Sequence, residues 1–232
     1  MHVIVPLAGP DFEGPDGRVK SLRLIEGSPF LLSVLCSRPW ASCLTSSAYI
    51  FILKDSQTSR IFVKSHLLNW FPHAKIVYVS DYAQGAALSA LGACSLLPIS
   101  DEPVIIDLAD IFYKATFLSP VEIFKRNTSC KCIVPTFESS SPIYSYLRFS
   151  EDGRIFLGAA EKRVISCFAT AGTYIFRNQA TYISALGNIL EKPGNHLNNK
   201  NLFVCPVLNG LVRIPGSVMS VKVNSLYDPK TI

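Results

Sequence analysis

The sequence predicts an α/β protein with a mainly parallel β-sheet and an antiparallel addition in its second half. From residue 1 to about 130, short apolar runs that end in turn residues alternate with segments that carry helix-start signals, which is the order of βαβ units. After that point a Ser-Glu-Asp-Gly turn at 150–153 separates two runs with strand character, 144–149 and 154–157. This second pattern indicates an antiparallel hairpin.

The strands and helices are placed individually by local signals. Six short apolar runs are typical of buried strands: 3–7, 48–53, 75–79, 104–108, 131–136 and 174–176. A helix is predicted at Phe30–Cys36, with Ser28 as its N-cap and Pro29 at its first position. Another follows Ser119, because the Pro-Val-Glu sequence after this serine completes a capping box. Parallel sheets bind ligands beyond the carboxyl ends of their strands, so the loops there are candidates.

Composition predicts one folded domain over 1–232. Hydrophobic residues make up 49% of the 232 residues and charged residues 17%, which is enough apolar material for one well-buried core. The stretch at 192–201 is predicted to be an exposed loop within this domain. The seven cysteines are odd in number and lie mostly among apolar neighbours, so we expect reduced core thiols, with Cys130 and Cys132 alternating across a strand.

Charge and hydropathy exclude two classes of partner. The net charge of +5 is diffuse, and no aromatic residues interleave with basic ones, which favours a solvated face over a nucleic-acid interface and suits a phosphorylated small molecule. The apolar run at 2–7 is too short for a signal peptide, and no apolar stretch reaches the length of a membrane span. We therefore expect a cytoplasmic protein that binds neither nucleic acid nor membrane.

The loop after the first strand is the first candidate site. It begins Pro6-Leu7-Ala8-Gly9 and continues to Lys20. A glycine turn lets backbone N–H groups approach phosphate oxygens, and a lysine supplies a countercharge. An ordinary turn-rich loop is the alternative, because the sequence contains neither a Walker motif nor a dinucleotide fingerprint.

Carboxylates form the second candidate site. Asp107 and Asp110 follow a buried strand and are therefore predicted at its carboxyl edge. Because Mg²⁺ takes one or two carboxylates plus substrate phosphates, Asp110 is a candidate ligand. A turn-capping aspartate is the alternative.

The third candidate site contains Glu161 and Lys162, followed by Gly172. A carboxylate can accept hydrogen bonds from sugar hydroxyls, and the neighbouring lysine can neutralise a phosphate in the same pocket. A surface charge pair is the alternative interpretation.

Taken in order, these segments resemble the sugar-nucleotidyltransferase (nucleotide-sugar pyrophosphorylase) family, and especially its short bacterial branch found with capsule and surface-sugar genes. The similarity covers nearly the whole chain. It rests on six segments: Pro6-Leu7-Ala8-Gly9; Lys20 with Ile25-Glu26-Gly27-Ser28-Pro29; Gly85-Ala86-Ala87; the strand that ends at Asp110; Glu161-Lys162 with Ser166, Ala169 and Gly172; and Pro206-Val207-Leu208-Asn209.

The resemblance implies a fold, a reaction and a set of residues. The fold is a three-layer, Rossmann-like (glycosyltransferase-A-like) sheet with helices on both faces. A sugar phosphate attacks the α-phosphate of a nucleoside triphosphate and pyrophosphate is released, with 1–130 binding the nucleotide and 131–232 the sugar phosphate. The implied residues are Leu7, Ala8, Gly9 and Gly85 for the nucleotide; Glu161, Lys162 and Gly172 for the sugar phosphate; Asp110 and Asp228 for Mg²⁺; and Lys20, Asp110 and Lys162 as the catalytic set. Asn209 is expected to be structural, and a homo-oligomer is allowed.

The first loop departs from the family pattern. The family carries an arginine there that grips the triphosphate, whereas this chain continues with Pro10-Asp11-Phe12-Glu13. Arg18 lies in the same loop and is a candidate replacement, although Asp11, Glu13 and Asp16 add negative charge. Two other functions are therefore kept: a binding module of the same fold that has lost turnover, and a glycosyltransferase with a metal-binding pair of aspartates.

Overall fold

The computed structural model describes residues 1–80, 84–116, 119–191, 201–223 and 225–227. Its strands are β1 (His2–Pro6), β2 (Leu24–Ile25), β3 (Ser28–Pro29), β4 (Tyr49–Lys54), β5 (Lys75–Val79), β6 (Val104–Asp107), β7 (Phe112–Lys114), β8 (Cys132–Glu138), β9 (Tyr146–Phe149), β10 (Phe156–Ala160), β11 (Phe168–Thr170), β12 (Thr173–Phe176), β13 (Val218–Lys222) and β14 (Ser225–Tyr227). Its α-helices are α1 (Phe30–Cys36), α2 (Gln57–Phe62), α3 (Leu68–Trp70), α4 (Ala86–Cys94), α5 (Pro120–Arg126), α6 (Gln179–Leu190) and α7 (Val204–Val207).

The large sheet has the strand order β10-β9-β11-β8-β12-β6-β1-β4-β5, and β13 pairs with β8. Strands β5, β4, β1 and β6 run parallel. Strand β12 is antiparallel to both β6 and β8, β11 is also antiparallel to β8, and β13 is parallel to β8. The β9–β10 hairpin extends the sheet through β11. This topology confirms the predicted mixed, mainly parallel sheet with an antiparallel addition in its second half.

Helices cover both faces of the sheet because successive strand side chains point to opposite faces. In β1, Val3 and Val5 pack into a cluster with residues of α1, α2 and α5. Between them, Ile4 packs into a second cluster with residues of α4, α6 and α7. The result is the three-layer arrangement that the resemblance implied. Among the described helices, none combines the length and hydropathy needed to cross a bilayer.

The six predicted strands are present, with ends shifted by no more than two residues. The predicted start of α1 is wrong. Pro29 is the N-cap rather than the first helical residue, and no side chain caps the helix. Ser28 and Pro29 instead pair with Leu24–Ile25 as β3 on β2, and the Phe30 N–H donates to the Arg23 carbonyl at 2.6 Å. The Ser28 hydroxyl does not cap the helix, and the first helical N–H, that of Phe30, bonds to a backbone carbonyl instead.

The cysteine prediction is wrong in part. The thiols are all free; Cys94, Cys130, Cys132 and Cys205 are buried, and Cys36, Cys43 and Cys167 are exposed. Cys130 and Cys132 belong to the apolar clusters on opposite faces of the sheet, as strand alternation predicts. The loop predicted at 192–201 lies outside the described residues except for its last position.

Gly210 tests the packing of α6 against the segment after α7. A Cβ built on Gly210 would lie 1.9 Å from the carbonyl oxygen of Ala185, so Gly210→Ala should destabilise the protein by about 1–3 kcal/mol, the cost of overpacking. A Cβ on Gly187, within α6, would meet nothing within 4 Å, so Gly187→Ala should stabilise the helix by about 0.5–1 kcal/mol. Urea denaturation compares the two variants, and equal stabilities would contradict the close packing at Gly210.

Candidate active site

Three loops meet at one edge of the sheet. Strands β1 and β6 are parallel neighbours, so their carboxyl ends lie side by side. Strand β12 is antiparallel to β6, and its first residue, Thr173, pairs with Asp107 at the end of β6. The first loop follows β1, Asp110 follows β6, and Gly172 precedes β12. The predicted ligand loops therefore face the same crevice.

Asp110 lies directly against Gly172. A Cβ built on Gly172 would be 2.6 Å from Asp110 Oδ1, and the φ angle of Gly172 is +74°. Both the space and the backbone conformation therefore require glycine. The Leu108 N–H donates to the Gly172 carbonyl at 2.9 Å, which ties the two loops together. The fold thus brings a residue of the predicted metal site next to one of the predicted sugar site.

A buried ion pair supports the segment that carries Asp110. Arg38 Nε is 2.6 Å from Asp107 Oδ2, and Arg38 Nη2 is 3.0 Å from Asp107 Oδ1. Both side chains have no exposed surface. Asp107 Oδ1 also accepts from the Ala109 N–H at 2.9 Å, and Arg38 Nη2 donates to the Ile111 carbonyl at 3.1 Å. These hydrogen bonds fix the backbone on both sides of Asp110, at Ala109 and at Ile111.

The ion pair reaches the start of β12 through Tyr113. The Arg38 guanidinium lies 3.9 Å from the centroid of the Tyr113 ring, and the Tyr113 hydroxyl donates to Thr173 Oγ1 at 3.1 Å. Burial lowers the pKa of Arg38, but the surrounding negative charges, Asp107 first, raise it by more in total, so the guanidinium stays charged. Both carboxylate oxygens of Asp107 bond to Arg38, so Asp107 is not available as a metal ligand. The metal-binding pair of aspartates on which the glycosyltransferase alternative rests is therefore not supported.

Two candidate site residues adopt left-handed backbone conformations. Ala109 and Lys162 each have a φ angle of +50°, a region that costs a non-glycine residue roughly 1–2 kcal/mol. Among the described residues, Glu26 is the other non-glycine residue with positive φ. Such strain concentrates at functional sites, and here it flanks Asp110 and Glu161.

Glu161 has polar neighbours beside the start of β12. Ser145 Oγ donates to Glu161 Oε2, and the Thr170 N–H donates to the Ser145 carbonyl at 2.8 Å. The hydroxyls of Thr170 and Tyr174 are 3.0 Å apart. Burial raises the pKa of Tyr174 and that of Cys205, and the charge of Glu161 raises both further. These neighbours therefore stay protonated at neutral pH while Ser145 orients the carboxylate.

Asn209 fixes the strand that leads to Glu161. Its Oδ1 accepts from the Ala159 N–H at 2.8 Å, and its Nδ2 donates to the Ala159 carbonyl at 2.9 Å. This agrees with the structural role expected for Asn209. Lys162 is exposed, and its Nζ lies 5.7 Å from the centroid of the Phe203 ring, which leaves the ammonium accessible to a ligand.

The first loop is anchored by Phe12. The Phe12 N–H donates to the Gly9 carbonyl at 3.1 Å, and the Lys20 N–H donates to the Phe12 carbonyl at 3.0 Å. The Phe12 ring packs edge-on against Phe62 of α2, with ring centroids 5.5 Å apart. The loop is thus closed on itself and attached to the apolar core.

Both basic side chains of this loop are paired with aspartates of the same loop. Lys20 Nζ is 3.0 Å from Asp11 Oδ2. Arg18 Nε is 3.5 Å from Asp16 Oδ2, and the Arg18 side chain is 88% exposed. The structure therefore holds Arg18 at an exposed carboxylate and does not bring it to Lys20.

Gly85 and Leu7 have packing roles of their own. A Cβ on Gly85, the N-cap of α4, would be 2.3 Å from the Leu202 carbonyl oxygen, and the φ angle of Gly85 is +96°. The Leu7 N–H donates to the Ile52 carbonyl at 2.7 Å. The contacts of Leu7, Ala8 and Gly85 with a nucleotide stay predictions.

Asp110 fits a magnesium site that takes most of its ligands from substrate. In the part of the chain that the structure describes, no group of three or more His, Cys, Asp or Glu residues could hold an ion by itself. Mg²⁺ is commonly bound by one or two carboxylates with substrate phosphates and water, and the carboxylate of Asp110 at the edge of the sheet offers one such ligand. Asp228, the second predicted ligand, lies outside the described residues.

No protein-family model and no curated protein matches the sequence, but solved structures match the fold. The nucleoside-diphosphate-sugar pyrophosphorylase from Vibrio cholerae RC9 superposes with a TM-score of 0.73 at 16% identity, over 96% of this chain and 92% of that one. UDP-glucose pyrophosphorylase complexed with UDP-glucose superposes with a TM-score of 0.64 at 18% identity, over 98% of this chain and 92% of that one. The inositol-1-phosphate CTP transferase from T. maritima superposes with a TM-score of 0.65 at 11% identity, over 100% of this chain and 91% of that one.

This chain shares their fold. Within this pyrophosphorylase-type fold, sequence reasoning missed Arg38 and Ser145 and the pairing of Lys20 with Asp11. Arg38 and Asp107 are 69 positions apart in the chain, so no local spacing could indicate their contact. An arginine within an otherwise apolar stretch was the one available signal.

Replacing Arg38 with methionine should destabilise the protein strongly, because Asp107 would remain buried without a countercharge. The loss of one partner of a buried ion pair costs about 3–5 kcal/mol. The double variant Arg38→Met/Asp107→Leu should recover part of this loss, since neither charge is then buried alone. Urea denaturation measures all three proteins, and a loss below about 1 kcal/mol for Arg38→Met would contradict the supporting role of the pair.

Proposed function

We propose that this chain transfers a nucleoside monophosphate from a nucleoside triphosphate to a sugar 1-phosphate or a similar small phosphate, with release of pyrophosphate. The observation that carries this proposal is the convergence of Asp110, Gly172 and the loop from Gly9 to Lys20 at one edge of the sheet. The similar structures support it, since they are named as pyrophosphorylases of nucleotide sugars or as a CTP transferase of inositol 1-phosphate.

The nucleotide would bind over the first loop and the amino end of α4. Leu7, Ala8, Gly9 and Gly85 would contact the nucleoside and its phosphates, because backbone N–H groups in glycine turns bind phosphate oxygens. Lys20 would supply the countercharge for the triphosphate. The Lys20 side chain is only 20% exposed, so its position is restricted by the residues packed around it.

The sugar phosphate would bind on the side of β10 and β12. Glu161, oriented by Ser145, would accept hydrogen bonds from sugar hydroxyls. Lys162 would neutralise the sugar phosphate. Gly172 would allow this site to lie directly against Asp110.

The reaction needs positioning and charge neutralisation more than covalent help. An oxygen of the acceptor phosphate attacks the α-phosphorus, a new P–O bond forms, and the bond to the bridging oxygen of the β-phosphate breaks. Pyrophosphate leaves with the electron pair. Lys20 and Lys162 stabilise negative charge on the two sides of the reacting phosphorus.

Mg²⁺ is the proposed cofactor, and Asp110 is the described residue that would hold it. When bound, Mg²⁺ would neutralise phosphate charge and polarise the phosphoryl oxygens. The one-carboxylate donor set at Asp110 suits an ion that takes its remaining ligands from substrate and water.

A binding module that has lost turnover is the second candidate function. The observation that favours it is the state of the first loop, where Lys20 is paired with Asp11 and Arg18 is held at Asp16. Loss of an arginine from a triphosphate clamp can lower the rate about 10³-fold or more. Such a protein would bind nucleotide or sugar phosphate without releasing pyrophosphate.

The proposed product is an activated sugar or a related compound. The resemblance to the short bacterial branch supports a role in surface polysaccharide synthesis and a cytoplasmic site of action, where nucleoside triphosphates are available. A homo-oligomer is compatible with this function.

Pyrophosphate release from each of four nucleoside triphosphates, tested against common sugar 1-phosphates with and without Mg²⁺, decides between the two functions. An enzyme releases pyrophosphate with a specific pair and only when both substrates are present. Thermal stabilisation by a nucleotide or sugar phosphate, with no release from any pair, supports the binding module. The absence of both release and stabilisation would contradict both functions.

Asp110→Ala should abolish Mg²⁺-dependent turnover, because Asp107, the neighbouring carboxylate at the end of β6, is already paired with Arg38. We expect a loss of at least about 10²-fold in kcat, as for other groups that stabilise charge in the transition state. Asp101→Ala is the matched control, since it removes an exposed aspartate just before the other end of the same strand, β6. Equal activity of the Asp110 variant and wild type would refute the metal assignment.

Glu161→Ala should weaken binding of the sugar phosphate and leave nucleotide binding unchanged. A lost hydrogen bond to a charged group is worth about 1.5–3 kcal/mol, which is roughly 10- to 100-fold in KM for the sugar phosphate. Glu151→Ala, in the exposed 150–153 turn, removes the same charge away from the pocket. Steady-state kinetics with each substrate varied in turn measures the effect, and an unchanged KM for the sugar phosphate would refute this role.

A further inference from the structure

The carboxylate of Asp11 lies between two groups that are proposed to bind phosphate. Asp11 Oδ2 is 3.0 Å from Lys20 Nζ. A Cβ built on Gly9 would lie only 2.8 Å from Asp11 Oδ1, so this oxygen fills the space that the absent side chain of Gly9 leaves open. One oxygen of the carboxylate therefore faces the lysine while the other covers the glycine.

The backbone of the first loop creates this placement. The turn from Gly9 to Phe12 directs the Asp11 side chain back over Gly9, and the bond from the Lys20 N–H to the Phe12 carbonyl brings the two ends of the loop together. Packing of Phe12 on Phe62 holds the turn against the core. The backbone of the loop thus places Asp11 beside Lys20.

We infer that Asp11 occupies the position of a substrate phosphate and that a triphosphate must displace it to reach Lys20. A carboxylate and a phosphate are both anions that accept hydrogen bonds from an ammonium group and from backbone N–H groups. The inference rests on the proposed placement of the triphosphate over the first loop. It makes Asp11 a residue that sets how tightly this chain binds polyphosphate.

The two partners differ in a way that permits displacement. The Asp11 side chain is 68% exposed and can rotate toward solvent, whereas that of Lys20 is only 20% exposed. An ion pair with one partner this exposed is weak enough for a triphosphate to break. Competition still lowers affinity, because each binding event must first separate Lys20 from Asp11.

Asp16 provides a matched control within the same loop. Like Asp11 it is an exposed aspartate, and its partner is Arg18 instead of Lys20. Asp11→Asn and Asp16→Asn each remove one negative charge from the loop, so they share any general electrostatic effect on anion binding. Only the first removes the negative charge that pairs with Lys20.

The experiment is calorimetric titration of inorganic tripolyphosphate into the full chain, without Mg²⁺, at low and constant ionic strength so that exposed charges are not screened. Asp11→Asn should bind tripolyphosphate about three- to tenfold more tightly than wild type, as expected when an exposed ion pair and a nearby repulsive charge are removed. Asp16→Asn should change the affinity by less than about twofold, because Arg18 lies away from Lys20. Asp11→Ser should behave like Asp11→Asn, which shows that the charge is responsible.

The gain should depend on Lys20. The double variant Asp11→Asn/Lys20→Ala should bind tripolyphosphate no more tightly than Lys20→Ala alone. The inference is overturned if Asp11→Asn and Asp16→Asn have equal affinities, if the gain persists without Lys20, or if neither wild type nor Asp11→Asn binds tripolyphosphate. Thermal unfolding confirms that each variant is folded.

Failure of this inference is distinguishable from failure of the proposed function. If Asp11→Asn binds tripolyphosphate more tightly but wild type releases pyrophosphate from no substrate pair, the function is wrong and the role of Asp11 holds. If wild type is active and the affinity of Asp11→Asn is unchanged, the role of Asp11 alone is wrong.

Discussion

The candidate site depends on the fully buried ion pair between Arg38 and Asp107. The pair joins the segment after α1 to the end of β6, and through Tyr113 it reaches Thr173 at the start of β12. A buried charge that loses its partner destabilises a protein strongly, so these parts are constrained to keep their relative positions. Asp110 is consequently presented at the sheet edge by a frame that does not itself need to contact substrate.

The two sides of the crevice are built differently. On the side of the proposed sugar phosphate site, part-buried contacts fix the geometry: Gly172 lies against Asp110, Ser145 orients Glu161, and Asn209 holds the backbone of β10. On the side of the first loop, Phe12 holds the loop against the core, and the ion pair of Lys20 with Asp11 is exposed at Asp11. Rigid buried contacts define geometry, whereas exposed ion pairs adjust with ligand and salt. The arginine that the family pattern would place in the first loop is missing from this adjustable side.

Local patterns were sufficient to predict the sheet and part of the site. Apolar runs bounded by turns identify strands because a buried strand needs apolar side chains on both faces, and Asp110 follows such a strand directly. Gly172 was found because the resemblance preserves its spacing from Glu161. The contact between Asp110 and Gly172 then follows from strand order, which places β12 beside β6.

Contacts between distant parts of the chain could not be predicted in this way. Arg38 stands in an otherwise apolar stretch, but the local sequence does not indicate its partner, because its environment depends on how β6 and β7 pack. Ser28 carries a helix-cap signal, but pairing of β3 with β2 overrides it. Lys20 was assigned to phosphate from its type and position, whereas its pairing with Asp11 depends on the turn at Phe12.

Following a label on the α-phosphorus of the nucleoside triphosphate tests the central claim most directly. If the carboxyl edge of the sheet brings an acceptor phosphate to the α-phosphorus, the label will appear in a new sugar-linked diphosphate, and the β- and γ-phosphates will leave together as pyrophosphate. Label that stays in a free nucleoside mono- or diphosphate, with no joined product, would contradict the account.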